Sequence, residues 1–295
     1  MRTVVTEVAL PPYVTPEAVA AFITSAMRED IGSGDVTTLA TIPAEATTSV
    51  KLLVKDSGRL AGVEMARRIF AHVDPAIQLK IMLPDGTGVR PGDVAFVAHG
   101  SARTLLSTER LILNCMQRMS GIATHTYRLT QLIAGTRARL MDTRKTTPNF
   151  RLAEKWAVHI GGGLNHRFGL FDRIMIKDNH TDIAGGVHTA LERAKKFRAD
   201  SVVQLDIEVE ARSLEEVSQI LATGGADIIL LDNMSTDLLR QAVRQIHGAC
   251  RVEASGGITE LNLREVAETG VDYISMGALT HSVRSLDLSL KVTRE

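Results

Sequence analysis

Cysteine is scarce in the 295-residue chain: Cys115 and Cys250 are the whole supply, and neither sits in a C-x-x-C pair or at a zinc-binding spacing. A disulfide framework and a cysteine-held metal are therefore not expected, and both residues read as reduced structural thiols. Apolar runs of membrane-spanning length are lacking too, and the N-terminal MRTVVTEVALPPYVTPEAVAAF shows no basic leader followed by an apolar stretch. The expected location is the cytoplasm, with no membrane partner. Net charge is also missing, since 34 Lys+Arg balance 34 Asp+Glu. No global field then draws the chain to nucleic acid, and any anion site must be local.

What the chain does have is an ordinary globular composition, 44% hydrophobic and 23% charged, with length enough for two domains of unequal size. Thr15 ahead of Pro16 is a good cap and first turn, and Ala20, Phe22, Ile23 and Met27 then recur at helical spacing. This predicts a helix ending near Gly32. TTSVKLLVKDSGRLAG alternates around a glycine turn, and RPGDVAFVAHG is a short apolar run between turn residues, so both are expected to be strands. Ser101 should cap a helix through ARTLLSTERLILNCMQRMS, with Gly121 interrupting it before a second helix reaches Gly135.

From residue 138 the pattern changes to strand, polar loop, helix, repeated. ARLMDT, DRIMIKD, VVQLDIEVE, DIILLD, RVEASGG and DYISMGA are the six strand candidates. Glu210 and Asp232 lie 22 residues apart, Asp232 and Ser255 23, and Ser255 and Gly277 22, and each interval fits one β/α unit of a barrel. In such a barrel the strand C-termini share one rim, and the loops leaving them build the active site. Arg144 and Lys145 in TRKTTPNFR, and Lys177 at the end of DRIMIKD, belong to that rim.

The stretch HIGGGLNHRFGLFDRIMIKDNH adds His166 and Arg167, giving five potential cations near one rim. Singly, each has an ordinary explanation: a capped core histidine, a surface charge, a strand-end lysine. Together they oppose one another unless an anion or carboxylates offset them. Guanidinium forks suit carboxylate and phosphate oxygens, and lysine supplies a point charge. Gly161, Gly162 and Gly163 fit a tight turn. Ser255, Gly256 and Gly257 in EASGGI, with Gly277 in SMGALTHS, are more specific, because small residues at the last two barrel loops let backbone N–H groups approach a phosphate. Glu210 and Asp232 suit a hard cation such as Mg2+, or an ion pair with Lys145 and Lys177, and the two roles are compatible.

EDIGSGDVTT, STERLILNCMQRMSGIAT, MDTRKTTPNFR, GGGLNHRFGL, IKDNH, EVE, LLDNM, EASGGI and GALTHS follow one another in an order that resembles the quinolinate phosphoribosyltransferase family, from about Arg28 to about Ser282. SGGI alone is weak, whereas TRK, GGGxNHR and IKDNH in series are highly specific. The resemblance implies an α/β protein with an N-terminal α/β sandwich domain, residues 1–115 with 278–295, and an open seven-stranded α/β barrel over 116–277, its seventh strand at GGGLNH. It implies transfer of phosphoribosyl from phosphoribosyl pyrophosphate to quinolinate, with Mg2+, giving nicotinate mononucleotide, pyrophosphate and CO2. By motif match, Arg110, Arg144, Lys145, His166, Arg167 and Lys177 hold the quinolinate carboxylates and parts of the pyrophosphate. Lys145, Lys177, Glu210 and Asp232 form the catalytic set, Glu210 and Asp232 hold the metal, and Ser255, Gly256, Gly257 and Gly277 hold the 5′-phosphate. A homodimer or higher homo-oligomer is implied, with Arg110 entering the neighbouring site.

Asn149 stands where the family often has glycine, and as the next best residue for a left-handed turn it should preserve the loop. His159 is given no role. Alternatives remain at this level. A related barrel acting on another base would share the glycine loops, a Schiff-base aldolase would use Lys145 or Lys177, and an anion-binding protein would bind without turnover. Arg110, Arg144, His166 and Arg167 together favour a dicarboxylate substrate.

Overall fold

The computed structural model describes residues 9–293, so the N-terminal reading of residues 1–8 lies outside the described part. In chain order the elements are α1 (Pro16–Ile31), α2 (Val36–Thr41), β1 (Thr47–Val54), β2 (Gly58–Arg59), α3 (Val63–Val73), β3 (Gln78–Ile81), β4 (Gly88–Val89), β5 (Val94–Ser101) and α4 (Ala102–Leu132). There follow β6 (Arg139–Met141), α5 (Arg151–Ile160), β7 (Ile174–Ile176), α6 (Asp178–Ala184), α7 (Val187–Asp200), β8 (Ile207–Ala211) and α8 (Leu214–Thr223). The last elements are β9 (Ile228–Asp232), α9 (Thr236–Ile246), β10 (Arg251–Ser255), α10 (Leu263–Ala267), β11 (Tyr273–Ser275), α11 (Ala278–His281) and β12 (Leu288–Thr293). No helix among the described residues is long and apolar enough to cross a membrane.

Two compact units divide the chain. Met1–Tyr127, Thr146–Gly162 and Ala278–Glu295 form the first, and Arg128–Lys145 with Gly163–Gly277 form the second. The boundary expected after Cys115 falls inside α4, and the stretch holding α5 belongs to the first unit although its sequence lies between two barrel strands. Apolar periodicity cannot reveal such an excursion, because α5 is amphipathic whichever unit it covers.

The first unit is built on an antiparallel sheet in the order β12-β1-β5-β3. Leu52 stands opposite both Phe96 and Leu290, and Phe96 meets Phe70 of α3 edge-on at 6.1 Å, so one column of apolar side chains joins the sheet to its helix. α1 follows expectation: Thr15 Oγ1 accepts from Ala18 N–H at 3.2 Å, and Gly32 takes φ 55° at the other end. α4 does not. Thr104 N–H donates to Ser101 Oγ as a cap would have it, but the helix runs without a break through Gly121. A Cβ at Gly121 would sit 2.3 Å from the Arg284 carbonyl oxygen, so this glycine allows a close approach of backbone rather than ending a helix.

The second unit is a parallel sheet in the order β6-β11-β10-β9-β8-β7 with helices between successive strands. The seventh strand expected at GGGLNH is reduced to a single parallel bridge: Leu164 N–H donates to Leu140 O, and Asp142 N–H donates to Leu164 O. Among the described residues no ladder joins Leu164 to β7, and the barrel stays open there. Residues 202–206, expected to begin a strand, precede β8 as loop, with Val202 and Val203 exposed. Both thiols are free, and burial raises Cys115 to about 12 and Cys250 to about 11.

Candidate active site

Side chains two apart on a strand share a face. On β8 this puts Glu208 and Glu210 together, on β9 Leu230 and Asp232, and on β10 Glu253 and Ser255. The intervening Val209, Leu231 and Ala254 face the other way and are fully or almost fully buried. The first set builds the interior of the barrel in two rows, an upper one at the strand ends and a lower one beneath it. A cavity of about 570 Å³ opens above, lined by Thr143, Arg144, Lys145, His166, Arg167, Met175, Lys177, Glu210, Leu230, Asp232, Asn233, Glu253, Ser255, Gly256, Gly257 and Ser275.

Most residues singled out from the sequence therefore converge. Two do not line this cavity: Gly277 lies just past β11, where Ser275 two residues earlier takes the interior position, and Arg110 is exposed on α4. Sequence reasoning passed over Glu208, Glu253, Asn233 and Ser275. The period of two would have found three of them, because Glu208, Glu253 and Ser275 each precede a singled-out residue by two.

The cations crowd one another. Burial first, and then the charge of Arg144, pull the Arg167 guanidinium below its usual value. Such a pocket is favourable to an anion. Arg167 is also tightly seated: its N–H donates to His166 Nδ1 at 2.8 Å, its guanidinium donates to Arg173 O at 3.4 Å, and His166 N–H donates to Asp142 Oδ1 at 2.9 Å. The Arg167 N–H leaves the ring proton of His166 on Nε2, which faces Glu208 Oε2 at 3.0 Å. Both ring nitrogens of His166 are thus occupied by protein. In this arrangement it holds the Arg167 peptide while still lining the cavity.

Glu210 and Asp232 line the same cavity. Burial, and then the charge of Asp232, push the Glu210 carboxyl above its usual range, with Lys177 Nζ 3.9 Å away as partial relief. Two hard oxygen donors that repel one another beside a single lysine fit a divalent cation. Gly256 has φ 85° and Gly257 φ 60°. A Cβ on Gly256 would lie 2.3 Å from Asn233 Oδ1 and 2.9 Å from the Asn233 backbone nitrogen. Asn233 N–H donates to Ser255 O at 2.9 Å, so the loops after β9 and β10 interlock and only glycine fits between them. Outside this unit, Asn149 adopts the left-handed conformation expected of it, φ 61°.

The family model for the N-terminal domain of quinolinate phosphoribosyl transferase matches residues 35–120, and that for the C-terminal domain matches residues 122–291. The chain is 43% identical over 300 residues to the rice chloroplastic nicotinate-nucleotide pyrophosphorylase [carboxylating], covering 97% of this chain and 80% of that one. It is 43% identical over 265 residues to a probable nicotinate-nucleotide pyrophosphorylase [carboxylating] of Bacillus subtilis, covering 90% of each. The structure of the nicotinate-nucleotide pyrophosphorylase from Francisella tularensis superimposes with a TM-score of 0.87 at 37% identity, covering 98% of this chain and 100% of that one.

Proposed function

We propose, from the premise that this chain belongs to the quinolinate phosphoribosyltransferase family, that the cavity at the barrel strand ends is where its reaction takes place. The protein is a decarboxylating phosphoribosyltransferase that forms nicotinate mononucleotide from quinolinate and phosphoribosyl pyrophosphate in NAD biosynthesis. The observation that carries the site assignment is the convergence of Arg144, Lys145, Arg167 and Lys177 with Glu210, Asp232 and the Ser255–Gly257 loop around one cavity. Quinolinate is a dianion and its co-substrate is more highly charged, so bringing them together needs a concentrated cationic wall.

In this reading Arg144 and Arg167 grip the quinolinate carboxylates, Lys145 and Lys177 share the carboxylates and the pyrophosphate, and His166 seats Arg167. Ser255, Gly256 and Gly257 offer backbone N–H groups to the 5′-phosphate. Gly277 and Arg110 keep their proposed roles as phosphate and neighbouring-site residues. As pyrophosphate departs, the ribose C1 gains oxocarbenium character, which the Glu210 or Asp232 carboxylate stabilises. The pyridine nitrogen attacks C1. The resulting pyridinium is an electron sink next to C2, so loss of the C2 carboxylate as CO2 leaves a stabilised ylide, which takes a proton at C2 to give nicotinate mononucleotide with no organic cofactor required.

Glu210 and Asp232 would hold Mg2+, which when bound would neutralise charge on the leaving pyrophosphate. EDTA is expected to lower the rate of pyrophosphate release more than about tenfold and added Mg2+ to restore it. Full activity in chelator would remove the metal from the proposal. With nicotinate in place of quinolinate no pyrophosphate release is expected. Gly256→Ala should raise the KM for phosphoribosyl pyrophosphate by on the order of tenfold, the equivalent of the ~1–3 kcal/mol that overpacking costs. An unchanged KM would move the phosphate elsewhere.

A homodimer is proposed on a different face. Leu170, Phe171, Phe197 and Val203 are each 62% exposed or more and line a shallow apolar cavity of about 690 Å³ near the open edge of the barrel. A contiguous apolar surface of this kind favours burial against another protein surface, here a second copy. The cytoplasm is the proposed location, in keeping with two unpaired thiols.

A further inference from the structure

Directly beneath the cations, His166, Glu208 and Glu253 place Nε2 and two carboxylates within 4.8 Å of one another, all buried. Glu208 is well provided for, with Arg173 Nη1 at 3.0 Å and His166 Nε2 at 3.0 Å on the same oxygen, Oε2. Glu253 is not. Neither of its oxygens has a hydrogen-bond partner, and His166 Nε2 stands 3.7 Å from Oε2. The spacing suits a metal ion, but His166 Nδ1 already accepts the Arg167 N–H, so a metal on Nε2 would demand an imidazolate.

We propose that Glu253 is a positioning residue of the transferase site that works as a neutral carboxylic acid, keeping one negative charge rather than two behind the anion pocket so that Arg144 and Arg167 keep their pull on a dianion. Every group around it fits this assignment. From β8 comes the Glu208 carboxylate, already matched by Arg173 ahead of β7. Next to β6 is Asp142, another carboxylate, satisfied by Asn165 Nδ2 and the His166 N–H. The register partner of Glu253 on β9 is apolar Leu230 and that on β11 is Tyr273, Ser275 lines the cavity two residues further along β11, and His166 donates its Nε2–H to Glu208. Among the described residues the nearby cation, Arg173, is already spent on Glu208, and an unpaired buried charge is costly enough that the group binds a proton instead. Burial, and then the Glu208 charge, push the Glu253 carboxyl well above the usual range, against weaker opposition from Ser275 and Arg173.

The sign of the functional effect follows. A raised acid is neutral below its pKa and ionised above it, so quinolinate should bind well at neutral pH and less well as Glu253 loses its proton. The change should be about tenfold, the effect of one unit charge at on the order of 10 Å through protein. It should fall on the alkaline side of neutrality, because burial carries a glutamate upward from its usual range.

The proposal rests on the assignment of this cavity to quinolinate, and the test separates the two. Infrared spectra of the wild-type protein at neutral pH should contain a protonated-carboxyl band that Glu253→Gln removes. Calorimetric quinolinate affinity of Glu253→Gln at neutral pH should stay within about threefold of wild type, because the amide is also neutral, and the alkaline weakening seen in wild type should vanish. Absence of the band, absence of the weakening in wild type, an equal weakening in the variant, or a neutral-pH loss of about tenfold or more in a folded variant would each overturn it. If Glu253→Gln does not fold, the wild-type band decides, since it must disappear over the same pH range in which affinity falls. Arg144→Ala serves as the control: unchanged quinolinate affinity there rejects the cavity assignment, whatever the infrared band shows.

Discussion

Arg144→Ala and Arg167→Ala are each expected to lower kcat/KM for quinolinate by about thirty-fold to several thousand-fold, the kinetic equivalent of the roughly 2–5 kcal/mol lost when one partner of a desolvated charge pair is removed. In the free protein the two guanidinium groups oppose each other, and Arg167 is depressed by its own burial and by Arg144. That opposition makes the prediction sharper. Removing Arg144, which is exposed, opens no core cavity, so the variant should stay folded while activity collapses. Function lost from a folded protein is the mark of a residue kept for binding. Normal kcat/KM in both variants would refute the pocket assignment.

Arg110 gives the second large effect. It is exposed on α4 without a partner among the described residues and does not line the cavity, as suits a side chain that serves a neighbouring subunit. Arg110→Ala and Arg144→Ala homodimers should both be inactive. When the two are refolded together, random pairing makes about half the dimers mixed, and each mixed dimer has one site carrying both lesions and one carrying none. About a quarter of wild-type activity should return. If Arg110 serves its own subunit, every site keeps a lesion and mixing restores nothing. Persistent inactivity with mass-spectrometric proof of mixed dimers would reject the shared site.

The barrel rim was legible because polar or glycine residues at or just past the strand ends, Glu210, Asp232, Ser255 and Gly277, recur at the length of one β/α unit, and the loop cations fall into the same register. The lower row was not read, although Glu208 and Glu253 obey the period of two, because a buried glutamate looks like any other acid until its neighbours are known. Gly121 was misread for a related reason: a glycine that ends a helix and one that admits a backbone carbonyl are the same letter. Val202 and Val203 resemble the start of a strand in one dimension, yet they stand in solvent ahead of β8. For Arg110 the proposed role comes only from the family resemblance, whereas Gly277 is marked by its small size after the last barrel strand although it does not line the cavity.

The chain passes between its two units within the very segment that carries Arg144 and Lys145, and passes back before Leu164. In between, α5 lays Leu152, Ala153, Trp156, Ala157 and Ile160 into the first unit, where Gly161 has no room for a Cβ against Ala123 O at 2.7 Å. A barrel cut free at residue 128 would still contain this helix and would have nothing to cover it. The two units therefore cannot be traded between proteins as cassettes.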